Sequence, residues 1–294
     1  VNKRTIEIMT LSADDIRTLH KYDIRVLLAI ERLMKQHQWV PEDLLREQTK
    51  FSEKELLFRL GRVQGKNLVK SSSVPYKGYQ LVFSGYDALA LHSLSSKGTI
   101  SALGTIIGVG KESEVYEALG FGPVVLKMHR VGQRSFHTIR KNRGFLPEWK
   151  HCPWIFVSTL SAQQEFEALS TLHKGGVSVP VPVGINRHVI VMSQVQGMDL
   201  KACTVDDPDY ILQAILHEAG KAYALGYVHG DLSEFNVMTD GETVTLIDWP
   251  QWIAPYHPSA PEILERDIKN ILTFFEKKYS VALPYTEAYE LVVG

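Results

Sequence analysis

Between residues 22 and 37 the apolar positions Val26, Leu27, Ile30, Leu33 and Met34 recur at the three-and-four spacing of one helix face. A second, short helix is predicted from Pro41, since proline suits a first helical turn. A third opens at Ser52, with Glu55 three residues on in the spacing of a capping box. Its apolar face is Leu56, Leu57, Leu60 and Val63, and Gly65 supplies a stop. Two short strands then follow, 67–70 and 79–83, around a turn-rich tip of serines, Pro75 and Gly78. Residues 84–96 read as a linking helix, and Ser95-Ser96-Lys97-Gly98 as a boundary. From Thr99 the period shortens. Strands at 100–107, 114–119 and 124–128, split by glycine-containing turns, suggest an antiparallel meander. Further on come a helix at 161–173, a strand at 188–192 and a long amphipathic helix before His229. The last predicted element is a helix from Pro261, with Ile263, Leu264, Ile268, Ile271, Leu272 and Phe275 inward.

Three helices followed by a hairpin resemble a winged helix-turn-helix, whose third helix would lie in a groove. Charge is consistent with that reading. Residues 1–84 carry 15 Lys/Arg against 10 Asp/Glu, and the remainder 17 against 23. A basic module joined to an acidic one points to an anionic partner. Candidate nucleic-acid contacts are Lys54, Arg59 and Arg62 on the third helix, with Lys66, Lys70 and Lys77 on the approach and wing. Glu53 and Glu55 share that helix and would repel phosphate, so a protein partner stays open beside RNA or DNA. Composition otherwise narrows the class. The 294 residues suffice for two domains, and no apolar run approaches a membrane span. Cys152 and Cys203, far apart and without CxxC spacing, argue against a disulfide framework or cysteine-rich zinc site, and with no signal-peptide stretch predict a reducing, cytoplasmic setting.

The chemistry lies in four motifs in a fixed order. Gly108-Val109-Gly110-Lys111-Glu112-Ser113 is a glycine turn able to present N–H groups to phosphate. It is not a Walker A loop, because Glu112 follows the lysine. It is not a dinucleotide fingerprint, because Ser113 replaces the third glycine and a strand follows. A strand–turn–strand setting suits a hairpin covering ATP. Lys127 lies in an apolar strand and needs an anionic partner: phosphate, and a helix carboxylate from Glu165 or Glu167. Phe166 and Leu169 are expected to mark that helix's core face. His229-Gly230-Asp231 leads to Asn236 five residues later, and Leu246-Ile247-Asp248 ends a strand after a turn at Asp240-Gly241. In phosphoryl transfer Asp231 would orient the incoming hydroxyl or water, while the hard oxygens of Asn236 and Asp248 would hold Mg²⁺. The histidines lack zinc-hydrolase spacing, and His229 reads as a loop-packing residue.

On these residues the chain resembles the RIO family of atypical serine/threonine protein kinases. Residues 108–116 look like the family's phosphate loop, and 229–236 and 246–250 like its catalytic and metal loops. The N-terminal winged helix points to the family's second subfamily. The resemblance implies an α+β fold: a winged helix domain (1–84), a linker helix (85–98), and a bilobal protein-kinase-like catalytic domain (99–294) with a truncated C-lobe. Its N-lobe would be 99–192, its hinge 193–197 and its C-lobe 198–294. It further implies ATP with Mg²⁺ (or Mn²⁺) as cofactors, catalytic roles for Asp231, Lys127 and Glu165, and preference for Glu165 over Glu167. ATP would be held by Gly108, Gly110, Lys111, Glu112, Ser113, Val115 and Lys127, and by Met192, Ser193, Gln194 and Val195 at the hinge. The implied role is in maturation of the small ribosomal subunit, on a precursor of rRNA and ribosomal proteins, as a monomer in isolation and away from membranes.

The residues add to this independently. Gly230 stands where protein kinases have the Arg of His-Arg-Asp, and 46 residues follow Asp248. No activation segment or peptide platform is therefore expected. The predicted reaction is slow ATP hydrolysis or self-phosphorylation used as a switch, with Ser135 as a candidate phosphoacceptor and Asp248 as the one the family resemblance implies. The segment from Arg130 to Trp154 is basic, with Arg130, Arg134, Arg140, Lys141, Arg143 and Lys150 against Glu148. It reads as a loop near nucleotide or RNA. Two alternatives stand. One is a small-molecule kinase of the aminoglycoside or choline type, which shares the His-Gly-Asp and Ile-Asp patterns. The other is a nucleic-acid-binding pseudokinase scaffold, against which the intact Lys127, Asp231, Asn236 and Asp248 set counts.

Overall fold

The computed structural model describes residues 18–131 and 154–294. Arg134, Ser135, Arg140, Lys141, Arg143, Glu148 and Lys150 lie outside them. The described residues form two compact units: 18–122, 126–131, 154–160 and 185–189 in the first, and 123–125, 161–184 and 190–294 in the second.

In the first unit, α1 (Lys21–Leu33), α2 (Glu42–Thr49) and α3 (Glu53–Gly65) precede the wing. The wing is antiparallel, in the order β1 (Val40–Pro41), β3 (Gly78–Leu81), β2 (Val69–Ser72). This is the predicted winged helix. Helix α1 starts on a reciprocal cap: the His20 side chain accepts from the Tyr22 N–H, and the Asp23 carboxylate accepts from the His20 N–H at 3.0 Å. The capping box predicted at Ser52 is half made. Ser52 Oγ accepts from Glu55 N–H at 3.2 Å, but the Glu55 carboxylate turns to Arg59 Nε at 2.8 Å, a stronger charged partner four residues on. The stop after α3 falls at Asn67, left-handed at φ 54°, where a short amide side chain is tolerated.

Val26, Leu27, Ile30, Met34, Leu45, Leu56, Leu60 and Val63 form the core with Tyr79 and Leu81. Each such side chain, fully buried, contributes about 2 kcal/mol. Leu57, expected in that core, is 39% exposed, and Phe58 beside it is 56% exposed. The predicted linking helix is α4 (Phe83–Ser96), and it is a packed element: Tyr86, Ala88 and Leu89 join the same core. It approaches so closely that a Cβ on Gly85 would stand 2.2 Å from Leu68 O. The meander is β4 (Ala102–Val109), β5 (Ser113–Leu119) and β6 (Pro123–His129), in a five-stranded sheet of order β4-β5-β6-β8-β7. Strands β7 and β8 are Pro182–Asn186 and Val189–Ser193.

The helix predicted from residue 161 begins earlier, as α5 (Trp154–Lys174). The second unit then holds β9 (Met198–Asp199), α6 (Pro208–Ala224), the hairpin β10 (Val237–Thr239) and β11 (Val244–Leu246), and α7 (Ala260–Tyr279). Leu212, Ile215, Leu216, Leu246, Trp249, Leu264, Ile268, Ile271 and Phe275 are buried there. The helix from Pro261 is not the last element. Helix α8 (Tyr285–Val293) follows and buries Ala288 and Val292. Its apolar positions are too few for a strong periodic signal on a nine-residue stretch.

Candidate active site

The candidate catalytic loop, 229–236, is closed by the hairpin that follows it. Asp240 Oδ1 accepts from the N–H groups of Glu242 and Thr243, folding the turn that antiparallel pairing of Val237 with Leu246 requires. One step beyond that pair, Ile247 N–H donates to Asn236 O at 2.9 Å, so Asn236 arrives beside Asp248. Asn236 also closes the loop behind it. Its N–H donates to Ser233 O, and its Nδ2 to Asp231 O at 2.8 Å, with Asp231 Oδ2 at 3.4 Å. Sequence neighbours five and seventeen residues from Asp231 thus gather in one place.

Asp248 has φ 66°, a left-handed conformation that costs a non-glycine residue about 1–2 kcal/mol. The flanks hold it there. His229 Nε2 donates to Ile247 O at 3.0 Å. On the other side Trp249 is fully buried, donates through Nε1 to Leu246 O, and donates its backbone N–H to Glu165 Oε1 at 3.1 Å. Glu165 is 1% exposed, on the buried face of α5 with Ala162, Ala168, Leu169 and Leu172, whereas Glu167 is exposed. The core face is therefore centred on Glu165, and Phe166, expected on it, is half-buried.

Helix α7 holds the loop from below. Gly230 N–H donates to Asp267 Oδ2 at 2.7 Å, Arg266 Nη2 donates to Gly230 O, and Asn270 Nδ2 donates to Leu232 O at 3.1 Å. Sequence reasoning missed these three residues. The available signal was a carboxylate, Asp267, set among the inward positions Leu264, Ile268 and Ile271. Gly230 adopts φ 82°, and a Cβ there would stand 2.3 Å from Gln251 O, so no arginine fits where protein kinases carry one. Partial burial pushes the Asp231 carboxyl above the usual carboxylate range; Asp248 and Asp267 add to this, while His229 and Arg266 oppose it. Burial holds His229 below the ordinary histidine range, against the pull of Asp267, which suits a neutral packing residue whose ring lies tilted against Trp249 at 4.4 Å.

The remaining candidates divide between the units. In the first, Gly110 N–H donates to Ser113 O at 2.8 Å, closing the β4–β5 turn; Lys111 is exposed, and Gly108, Glu112, Ser113 and Val115 are half-buried. Lys127 is 5% exposed on β6. In the second, Met192 is buried, Gln194 is exposed, and Ser193 is engaged twice with Val181, its N–H donating to Val181 O and its Oγ accepting from Val181 N–H.

Of the nucleic-acid candidates, Arg59 and Arg62 turn inward. Both bond the fully buried Asp23, each at 3.2 Å. Lys77 pairs with Glu42 at 2.9 Å, Lys66 is half-buried, and Lys54 and Lys70 are exposed. Arg130, expected in the basic loop, is instead held by Asp87 and Glu114.

Among the described residues no group of three His, Cys, Asp or Glu side chains forms a metal cage. Asn236 commits its amide nitrogen to Asp231, so its oxygen is the donor left beside the Asp248 carboxylate. Two hard oxygens fit Mg²⁺, which keeps water and phosphate as its other ligands.

Residues 114–288 match the RIO domain, and residues 16–97 the Rio2 N-terminal domain. The chain is 40% identical over 258 residues to the RIO-type serine/threonine-protein kinase Rio2 of Methanocaldococcus jannaschii, across 84% of this chain and 93% of that protein. It is 38% identical to the serine/threonine-protein kinase rio2 of Dictyostelium discoideum, across 92% of this chain and 53% of that protein. A similar solved structure is the Rio2 kinase–ADP/Mg²⁺–phosphoaspartate complex from Chaetomium thermophilum, with a TM-score of 0.80 and 31% identity over 95% of this chain and 88% of that one.

Proposed function

The chain belongs to the RIO family of kinases, in its Rio2 branch, and from that premise we propose that it is an atypical serine/threonine kinase and ATPase acting on Mg²⁺-ATP. The observation that carries this reading is the closed arrangement of Asp231, Asn236 and Asp248 on one hairpin. Asp231 orients the attacking hydroxyl or water, and its raised pKa suits a group that takes up a proton as the bond forms. Asn236 and Asp248 hold the cation, which when bound neutralises charge on the phosphates. On this reading Lys127 binds the phosphates and Glu165 has a catalytic role. Glu165 also fixes Asp248 through the Trp249 N–H. Gly108, Gly110, Lys111, Glu112, Ser113 and Val115 cover the phosphates, and Met192 to Val195 hold adenine.

Asp248 is the favoured phosphoacceptor, in keeping with the phosphoaspartate of the Chaetomium thermophilum protein, and Ser135 is the other candidate. The substrate complex on this reading is a precursor of the small ribosomal subunit, engaged in the cytoplasm by a monomer whose winged helix (1–84) meets rRNA or ribosomal protein. Among the described residues no helix is long and apolar enough to cross a membrane.

The test is incubation with Mg²⁺ and γ-labelled ATP, with and without precursor particles, beside Asp231→Ala and Asp248→Ala. Phosphate release that rises with particles and is lost in both variants is the expected result. Label transferred to another protein would instead make the chain a true protein kinase. No turnover with ATP still bound would leave a scaffold.

A further inference from the structure

Outside the catalytic loop, the first unit holds a largely buried ion cluster. The Arg130 guanidinium is gripped by the Asp87 carboxylate of α4 in a bidentate pair, Nη1 to Oδ1 at 2.8 Å and Nη2 to Oδ2 at 3.0 Å. Nη2 also donates to Glu114 Oε2 at 2.9 Å. His188 Nε2 donates to Asp87 Oδ1 at 2.7 Å, and the His188 ring stacks on Tyr86 of α4 at 4.8 Å. Phe83 lies under the guanidinium at 5.1 Å. A second bidentate pair ties the adjacent Arg187 to Glu31 of α1, at 2.6 and 2.8 Å.

The cluster's reach into the glycine hairpin sets it apart from an ordinary core ion pair. The Arg130 backbone N–H donates to Glu112 O, while its side chain holds the Glu114 carboxylate. One residue therefore fixes both neighbours of Ser113, the phosphate-loop serine. Charge-assisted bidentate bonds in a shielded setting are directional and hard to rearrange. The orientation of the loop is then set by α4, an element inside the segment that matches the Rio2 N-terminal domain.

We propose that Asp87, acting through Arg130, is a positioning residue for the nucleotide loop, so that the N-terminal winged helix segment sets the affinity for ATP. The inference rests on the assignment of Gly108, Gly110, Lys111, Glu112, Ser113 and Val115 to ATP. Neither Asp87 nor Glu114 touches the catalytic loop described above, so the effect belongs to binding rather than to chemistry.

Asp87→Asn and Glu114→Gln test it, with ATP kinetics and amide hydrogen exchange measured on the full chain. Each is expected to raise the KM for ATP about tenfold, in the lower part of the usual range for coupled sites, with kcat unchanged. Each should also speed exchange across residues 108–116. Glu114→Gln leaves the Asp87–Arg130 pair intact, so it decides the matter if Asp87→Asn fails to fold. Folded variants with the KM and the exchange of the parent protein would overturn the proposal. A parent protein that neither binds nor turns over ATP would sink the functional assignment instead, and exchange across 108–116 would still report whether Asp87 positions the loop.

Discussion

At the scale of single residues, the loop trades stability for geometry at two positions. Gly230→Ala places a Cβ against Gln251 O in a backbone conformation that only glycine adopts freely. We expect a loss of about 2–3 kcal/mol, read as a lower denaturation midpoint with an unchanged m-value. Asp231 acts in the opposite sense. Its pKa is raised in the folded chain, so the fold disfavours the ionised form, and the stability it contributes is lost as pH rises through its folded value. Asp231→Asn, which cannot ionise, should therefore abolish turnover yet raise Tm at pH 7. The Tm difference from the parent should shrink towards pH 3, and a variant less stable at pH 7 would refute the assignment of cause. The pair Asp231 and Asn236 was legible in the sequence because five-residue spacing within one loop is a local property. Asp267 was not, because its partner, the Gly230 N–H, lies 37 residues away.

Among the elements, α3 is the one whose surface differs most from its sequence. A count of basic residues treats Lys54, Arg59 and Arg62 alike, but the fold spends the two arginines on Asp23. Arg59→Ala should cost about 2 kcal/mol by exposing the buried carboxylate to a partial loss of charge compensation. It should leave the salt dependence of RNA binding nearly unchanged. Lys54→Ala and Lys70→Ala should do the reverse, each lowering the slope of log K against log salt by about 1 without loss of Tm. Titrations of a labelled small-subunit rRNA fragment at several salt concentrations distinguish the two patterns. A slope that falls with Arg59→Ala would mean that the arginine leaves Asp23 for phosphate. Although α1 stops at Leu33, short of the 22–37 pattern, its start and both ends of α3 and α4 were readable from apolar spacing, caps and turn residues. The burial of Glu165 on α5 was not, because a carboxylate on an apolar face is explained only by the N–H it meets.

For the molecule as a whole, buried histidines set the response to acid. Burial holds both His188 and His229 below the ordinary histidine range. For each, the unfolded chain takes up a proton near pH 6.5 that the folded chain takes up only at lower pH. Stability is therefore complete above that value and falls as pH drops through it, by up to about 1.4 kcal/mol per pH unit per histidine. Equilibrium unfolding between pH 5 and 8 should show this decline beginning near pH 6.5. A flat profile would mean that these histidines are no harder to protonate in the folded chain than in the unfolded one.

The sequence by itself determined the winged helix, the glycine hairpin with the Lys127 strand after it, and the short loop that brings Asn236 to Asp231. Periodicity, caps and short loop spacings act within a few residues of chain, and so they can be read along it. Only the tertiary structure decided which charged groups face inward. It set Glu165 on the Trp249 N–H, Asp267 under Gly230, Asp23 between two arginines, and Arg130 between α4 and the glycine hairpin. Each of those choices depends on a partner distant in sequence, because a buried charge is tolerated only where folding delivers its complement.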